Sequence, residues 1–197
     1  MAGATTSDRV PAEVPLILEG ERVSLRPLRR ADAPAVERWL HDPETSRWMV
    51  LARTAPSAEK WIAEQADGWP RHVVRAIHRL PGAPGLLIVD EGPCGVVGLY
   101  DIDWLQRRAE LRIVIGGEGY RRLGLGTEAV RLMVDYGFRA LDLYRIWLGT
   151  AEDNFAARGC FEKAGFVREG TLIDDFLGPD GQRSNNLRYG MIRDAKA

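Results

Sequence analysis

The chain has 197 residues, 45% of them hydrophobic, which favours one globular domain with enough apolar side chains for a core. The 27 basic and 28 acidic residues leave a net charge of −1, so no global field points to nucleic acid or an anionic membrane as a partner. No apolar run of about 18 residues occurs, and no signal peptide opens the chain. We expect a cytoplasmic protein with a flexible leader at 1–15 and one domain at 16–197.

The cysteines and histidines do not predict a metal site. Cys94 and Cys160 are far apart and form no CxxC pair, so buried filler is a better reading than a ligand set or a disulfide. His72 and His78 are not adjacent on their strand-like stretch, and His41 is remote from both. We therefore expect no metal.

The first part of the chain predicts a strand and two helices. Val23–Pro27 alternates as a strand does, and Asp32 stands where the N-cap of a helix would be, with a proline in the turn behind it. A second helix is predicted from Ala58 to Asp67, with Ser57 as its N-cap.

The middle of the chain predicts an antiparallel meander. Leu86–Asp90 and Gly95–Asp101 are apolar runs joined by a Gly-Pro turn, as in a β-hairpin. A further strand begins at Glu110, with an alternating apolar run behind it.

The hydrophobic period then changes from that of a strand to that of a helix. Apolar residues from Ala129 to Ala140 recur at the three- and four-residue spacing of an amphipathic helix. The connection Arg121–Gly126 has two glycines, which let the backbone approach a ligand closely. Free N–H groups at the helix start suit a pyrophosphate, although the same spacing also fits an ordinary turn. The segment matches neither a Walker A loop nor Gly-x-Gly-x-x-Gly.

The last part of the chain predicts a strand at Arg145–Thr150 and a helix at Asn154–Ala164. Phe166–Thr171 and Leu187–Arg193 are predicted as a closing pair of strands, separated by a polar connection at 178–186. The fold class is therefore α+β, with one mixed, mostly antiparallel sheet and helices on its faces.

This order of elements resembles the GCN5-related N-acetyltransferase (GNAT) superfamily. The chain looks most like the branch that contains acetyltransferases of ribosomal-protein N-termini. The resemblance is carried by Arg22–Asp32, Ala109–Glu110, Tyr120–Ala129 and Asn154–Gly170. It implies a single GNAT-like domain whose sheet splays between the fourth and fifth predicted strands, which begin at Glu110 and Arg145.

The resemblance also implies acetyl-CoA as co-substrate. Backbone N–H groups from Arg122 to Gly126 would hold its pyrophosphate, and the strand edge near Ile113–Ile115 would pair with its pantetheine arm like an added strand. The residues predicted to bind the coenzyme are Ile113, Val114, Ile115, Arg121, Arg122, Leu123, Gly124, Leu125, Gly126, Thr127, Asn154 and Arg158.

The predicted reaction is direct attack of an amine on the thioester in a ternary complex. An amine with a pKa near ~10 must lose its proton first. Glu110 is the predicted base, directly or through water, and its alternative is an exposed carboxylate paired with Arg107 or Arg108. A backbone N–H around Val114 is predicted to stabilise the developing oxyanion.

The general acid stays open. Many GNAT enzymes have a tyrosine where this chain has Phe161, and a phenyl ring cannot donate a proton. Cys160, a water or unassisted departure of the thiolate are the options. Ala157 also stands where the branch often has serine. Phe161 and Ala157 support an alternative function, a module that binds coenzyme A but has lost catalysis. An extra residue at 116–119 leaves the bulge position of the strand open.

Trp48, Met49 and Asp101 are predicted to border the acceptor site. The first two either line a cleft or fill the edge of the core. Asp174 and Asp175 either attract a cationic amine or form a solvated face. The acceptor is a protein N-terminus or a small-molecule amine, and the acyl group could be larger than acetyl, such as succinyl. A homodimer is expected from the habit of the branch.

Overall fold

The structure, a computed structural model, describes residues 17–49, 57–81 and 92–193. The strands are β1 (Leu18–Glu19), β2 (Val23–Pro27), β3 (Val73–Arg79), β4 (Gly95–Asp103), β5 (Arg108–Ile115), β6 (Arg145–Ala151), β7 (Val167–Leu177) and β8 (Arg183–Ile192). The helices are α1 (Ala33–His41), α2 (Pro43–Ser46), α3 (Ala58–Ala66), α4 (Leu125–Arg139) and α5 (Phe155–Ala164), with 3-10 turns at Arg30–Asp32 and Glu118–Tyr120. The predicted leader at 1–15 and the predicted strand at Leu86–Asp90 lie outside the described residues.

The strands form one sheet in the order β1-β2-β3-β4-β5-β6-β8-β7. All neighbours are antiparallel except β5 and β6, which run parallel. The pairing of β5 with β6 ends at Glu110 and Trp147, although both strands continue beyond that point. The sheet is therefore splayed between these two strands, and the α+β prediction is confirmed.

The meander places β4 between β3 and β5. Val73 pairs with Leu99 on one edge, and Ile115 pairs with Gly95 on the other. The register of β4 against β5 shifts between Tyr100 and Asp103, with Asp101 at a positive φ of 49°. The bulge lies on β4, because the paired residues Tyr100 and Asp103 are three positions apart on β4, whereas their partners Glu110 and Arg108 are two positions apart on β5.

The predicted polar connection at 178–186 is wrong in its second half, because β8 already begins at Arg183. The polar side chains that suggested a loop have partners inside the sheet. Asn185 donates its Nδ2 to Glu152 at 2.8 Å, and Asn186 donates its Nδ2 to Asp175 at 2.9 Å. These hydrogen bonds, which the hydrophobic period cannot register, allow a polar strand to form.

The helix starts agree with the sequence at Ser57 and disagree at Asp32. Ser57 caps α3, since its Oγ accepts the N–H of Lys60 at 3.2 Å. Asp32 makes no such bond to α1; its buried carboxylate instead pairs with the Arg26 guanidinium at 2.6 Å. Burial opposes ionisation there, but hydrogen bonds from Arg26 and the Arg29 N–H outweigh it and lower the pKa of Asp32.

Helices cover both faces of the sheet. On one face α4 and α5 pack on apolar side chains such as Leu99, Leu111 and Ile146, and fully burying a side chain of this size contributes about 1.5–3 kcal/mol. On the other face α1 and α3 pack on a second cluster that includes Val96 and Tyr100. Among the described residues, no helix is long and apolar enough to cross a membrane.

Candidate active site

The segment between β5 and α4 exposes a run of backbone donors. Gly124 is the N-cap of α4 with φ of 80°, and Arg122 also has a positive φ, 62°. The N–H groups of residues 122 to 127 have no acceptor among the described residues, whereas Glu128 N–H already bonds to Gly124 at 3.1 Å. Free N–H groups beside the positive end of a helix dipole form a cradle for an anion.

The arginine side chains at this loop differ in their partners. The Arg121 side chain binds residues outside the loop, since its Nη2 donates to Thr45 Oγ1 at 2.6 Å and to Asp42 at 3.1 Å. Arg22 lies at the loop instead and donates its Nη1 to the Leu123 carbonyl at 3.2 Å. Sequence reasoning missed Arg22, because no local pattern indicates a contact with a segment so distant in the chain.

The carboxylate of Glu128 fixes the start of β2 against α4. It accepts the N–H of Arg22 at 2.7 Å and that of Val23 at 3.3 Å. A carboxylate in the first turn of a helix also interacts favourably with the helix dipole. Glu128 therefore positions the backbone from which Arg22 reaches the loop.

The edge of β5 that faces the splay is open beyond Glu110. Alternate residues of an antiparallel strand direct their backbone groups to the same neighbour. Gly116 donates its N–H to Cys94, at the end of β4, so Val114 also faces β4. Ile113 and Ile115 face the edge from which β6 has diverged. The prediction places an oxyanion donor around Val114; because the N–H of Val114 itself faces β4, the neighbouring N–H groups of Ile113 and Ile115 are the ones at the open edge.

The open edge and the anion cradle are close together. A Cβ built on Gly126 would lie 3.3 Å from Ile115 Cγ1 and 3.6 Å from Cys160 Sγ. Thr127 donates its hydroxyl to Cys160 Sγ at 3.6 Å, and burial raises the pKa of the Cys160 thiol. The strand end, the loop and α5 are therefore neighbours, and we call the surface that they line with the open edge of β5 the groove.

The predicted base, Glu110, is bound by an arginine that the sequence did not indicate. Its side chain is 16% exposed, and its Oε2 accepts from Arg112 Nη2 at 2.5 Å. The alternative partners proposed from the sequence are engaged elsewhere, Arg107 with Asp142 and Arg108 with Asp103. The alternation of β5 places Glu110 and Arg112 on the same face of the strand.

Asp101 lies in the same charged cluster. Its carboxylate is 3.4 Å from Arg112 and 3.8 Å from Arg71. Burial tends to lower the pKa of Arg112, but its hydrogen bond and charge pairing with Glu110 outweigh burial and raise it. Arg112 therefore stays charged and holds Glu110 and Asp101 around one guanidinium.

Residues 42–49, which we call the strap, contact both sides of the cleft. Arg121 binds Asp42 on the β5 side, and Arg47 forms an ion pair with Asp153 at 3.0 Å on the far side. Trp48 lies 6.1 Å from Phe176 on β7 and carries the Arg47 guanidinium on its ring. Trp48 is half-buried at this position, whereas Met49 is buried.

The residues predicted on α5 have structural partners of their own. Asn154 caps the helix by accepting the N–H of Ala157 at 3.1 Å through Oδ1. Arg158 donates to the Glu152 carbonyl at 2.9 Å. Phe161 is buried against Phe166 and Tyr189 rather than exposed in the groove.

Asp174 and Asp175 lie on β7. Asp175 accepts from Asn186, and the Asp174 N–H donates to Asn185, so both belong to the β7–β8 hairpin. No group of three or more potential ligands that could hold a metal ion occurs within residues 17–49, 57–81 and 92–193.

The sequence is similar to known acetyltransferases over most of its length. The model of the acetyltransferase (GNAT) domain matches residues 22–167. Spermidine N(1)-acetyltransferase of Escherichia coli (strain K12) is 32% identical over 166 residues, which are 84% of this chain and 83% of that protein. YdaF of Bacillus subtilis (strain 168), by name a candidate ribosomal N-acetyltransferase, is 26% identical over 88% of this chain and 92% of its own.

Solved structures show the same fold. The microcin C7 self-immunity acetyltransferase MccE, in complex with acetyl-CoA and AMP, matches 88% of this chain and 94% of its own with a TM-score of 0.73 at 15% identity. A GNAT-family acetyltransferase from Bacillus anthracis matches 89% of this chain and 98% of its own with a TM-score of 0.71 at 17% identity. Together with the splayed sheet and the anion cradle, these matches identify the chain as a member of the GNAT acetyltransferase family.

Proposed function

We propose that the chain transfers the acetyl group of acetyl-CoA to an amine by direct attack in a ternary complex. The observation that carries this proposal is the run of N–H groups at 122–127 that have no acceptor among the described residues, next to the open edge of β5. A diphosphate matches the cradle, and an extended amide-bearing chain matches a strand edge. Acetyl-CoA carries both, and it is the acetyl donor of GNAT acetyltransferases.

The coenzyme would be held mainly by backbone groups and by Arg22. Arg22 adds a positive charge beside the Leu123 carbonyl, whereas Arg121 supports the loop through Thr45. Ile113 and Ile115 offer backbone groups to the pantetheine arm. Asn154 uses its Oδ1 as a helix cap, so its Nδ2 is the group left for a ligand.

Glu110 is the proposed base, acting directly or through a water. It stands at the point where the cleft opens, with its carboxylate held by Arg112. The oxyanion donor is proposed at the free edge, from the N–H of Ile113 or Ile115. Removal of one such donor costs about 2.7–4 kcal/mol in known enzymes.

The leaving thiolate needs no tyrosine in this proposal. Phe161 has no proton to donate, and a thiolate whose parent thiol has a pKa near ~8.5 leaves without strong assistance. If an acid takes part, Cys160 at Thr127 of the loop is the side chain that we propose, since burial raises the pKa of its thiol and favours the protonated form.

The acceptor would enter between the strap and Glu110, bordered by Trp48 and Asp101. Spermidine and ribosomal acetyltransferase relatives support an amine as the acceptor. We further propose a cytoplasmic homodimer, with the exposed apolar residues Ile173 and Leu177 of the edge strand β7 in its interface.

Two measurements test the function. Calorimetry with acetyl-CoA and with desulfo-CoA tests the cradle, and we expect both to bind. Release of free thiol in the presence of a panel of primary amines tests catalysis. Binding without thiol release would support a module that keeps the coenzyme site without catalysis, and no binding would remove the function altogether.

A further inference from the structure

Two aromatic rings, each with an arginine guanidinium over it, flank the proposed base. Glu110 pairs with Tyr100 of β4 on one side and with Trp147 of β6 on the other. Paired residues of neighbouring strands project from the same face, so the three side chains form a row across the sheet. The Arg112 guanidinium lies 4.8 Å from the centre of the Tyr100 ring, and the Arg188 guanidinium lies 3.8 Å from that of Trp147.

The two arginines differ in their ionic partners. Arg112 is paired with Glu110 and Asp101. Glu169 is the carboxylate that interacts electrostatically with Arg188. Both of its oxygens, however, are bound by Arg145. Within the described residues Arg188 has no carboxylate within salt-bridge distance, although its side chain is half-buried on Trp147.

A stacked guanidinium keeps its N–H donors at its edge, where they remain available to a ligand. Stacking on tryptophan restrains the guanidinium beside the ring. An arginine held in this way, without an anion of its own, favours an oxyanion that arrives with a ligand. It would also repel a polycation that approached Glu110 from this side.

We propose that Arg188, whose guanidinium lies over the Trp147 ring, binds an oxyanion of the acceptor, so that the enzyme prefers amines that also carry a carboxylate or a phosphate. This inference rests on the proposed function and narrows its acceptor class. It sets the chain apart from polyamine acetylation, because the charge of Arg188 disfavours a substrate with several ammonium groups on this side of Glu110. The amine goes to Glu110, and the oxyanion goes to Arg188.

Matched pairs of amines test the proposal. γ-Aminobutyrate and butylamine differ by a carboxylate, and O-phosphoethanolamine and ethanolamine differ by a phosphate, with spermidine as a polycationic comparison. We expect kcat/KM to be at least about tenfold higher for the anionic member of at least one pair, as befits one charge-assisted hydrogen bond. The pair that shows the preference tells whether the site takes a carboxylate or a phosphate.

Variants locate the effect at Arg188. In Arg188→Gln we expect the preference to fall about tenfold, through a higher KM for the anionic amines. Arg188→Lys should restore part of it. Arg139→Gln, on an exposed residue paired with Asp135 at the end of α4, is the control with the same change of charge and should keep the preference.

Two results would overturn the inference. One is a wild-type enzyme that binds acetyl-CoA but shows no preference for the anionic member of either pair. The other is an Arg188→Gln variant that folds as the wild type does and keeps the full preference. Acetyl-CoA binding is measured separately, so a failure of the proposed function appears there and not in the ratio of the amines.

Discussion

Glu110 and Trp147 are the last paired residues of β5 and β6 before the two strands diverge. A carboxylate at this point stands at the apex of the opening in the sheet. We propose that a donor lying along the free edge of β5 and an acceptor entering from the strap side meet at this side chain. This position supports Glu110 as the base.

Substitution Glu110→Gln should reduce kcat by about 10²–10⁴-fold, because proton transfer from the acceptor amine is lost. The affinity for acetyl-CoA should stay unchanged, because the coenzyme cradle at 122–127 is remote from this carboxylate. Steady-state kinetics and calorimetry check the two parts. Glu19→Gln, on the edge strand β1, is the control, and equal kcat in the two variants would remove Glu110 from the role.

Substitution Gly124→Leu should weaken acetyl-CoA binding by at least about tenfold. Gly124 has φ of 80°, and a Cβ there would lie 2.8 Å from Arg22 Nη1, so the side chain would displace the arginine and the loop. Gly181→Leu is a matched control, since Gly181 has the same φ and no neighbouring atom within 4 Å. Equal losses of binding would show that backbone strain alone is responsible and that the cradle is wrongly placed.

Alkylation of the two cysteines should respond differently to acetyl-CoA. Cys160 borders the groove at Thr127, so bound acetyl-CoA should slow its reaction with iodoacetamide. Cys94 is 1% exposed, and burial raises its pKa to about 12, so it should stay unreactive with or without the ligand. Peptide mass spectrometry at pH 8 measures both sites. An unchanged rate at Cys160 under saturating acetyl-CoA would argue against the groove as the coenzyme path.

The stability of the protein should fall as the pH drops below neutrality, in part through His78. Burial lowers the pKa of His78. The charges of Arg26 and Arg29 lower this pKa further, whereas that of Asp32 raises it. The Nε2 atom of His78 is buried and has no partner among the described residues. As the pH falls through about 6.5, His78 therefore binds a proton in the unfolded chain before it does so in the folded chain. The free energy of unfolding decreases from that pH down to the folded-state pKa of His78.

His78→Gln removes this titration. Urea unfolding at several values between pH 7 and pH 5 should show a smaller loss of unfolding free energy in the variant than in the wild type. The burial of His72 also lowers its pKa, so some dependence on pH should remain. Identical slopes in the two proteins would contradict the assignment.

Local patterns predicted the parts of the structure that depend on nearby residues. The hydrophobic period of α4 and the glycines before it indicated both the helix and its anion cradle. Tertiary contacts decided the rest. Asp32 has the right residue type for a helix cap, yet its carboxylate pairs with the Arg26 guanidinium and makes no capping hydrogen bond to α1.

The same limit applies to the site. The position of Glu110 followed from the family resemblance, but its partner Arg112 and the contact of Arg22 with the loop depend on side-chain paths that no spacing encodes. The direction of the Val114 N–H depends on the register of β4 against β5. Register is fixed by strand pairing over the whole meander, and so it could not be derived from β5 alone.

The eight residues of the strap contact both walls of the cleft. Asp42 binds Arg121 beside the loop at 122–127, and Arg47 pairs with Asp153 on the opposite wall. We expect a short segment that contacts both walls of the cleft to couple the binding of the donor to that of the acceptor. The factor by which the bound donor changes the affinity for the acceptor must equal the factor by which the bound acceptor changes the affinity for the donor.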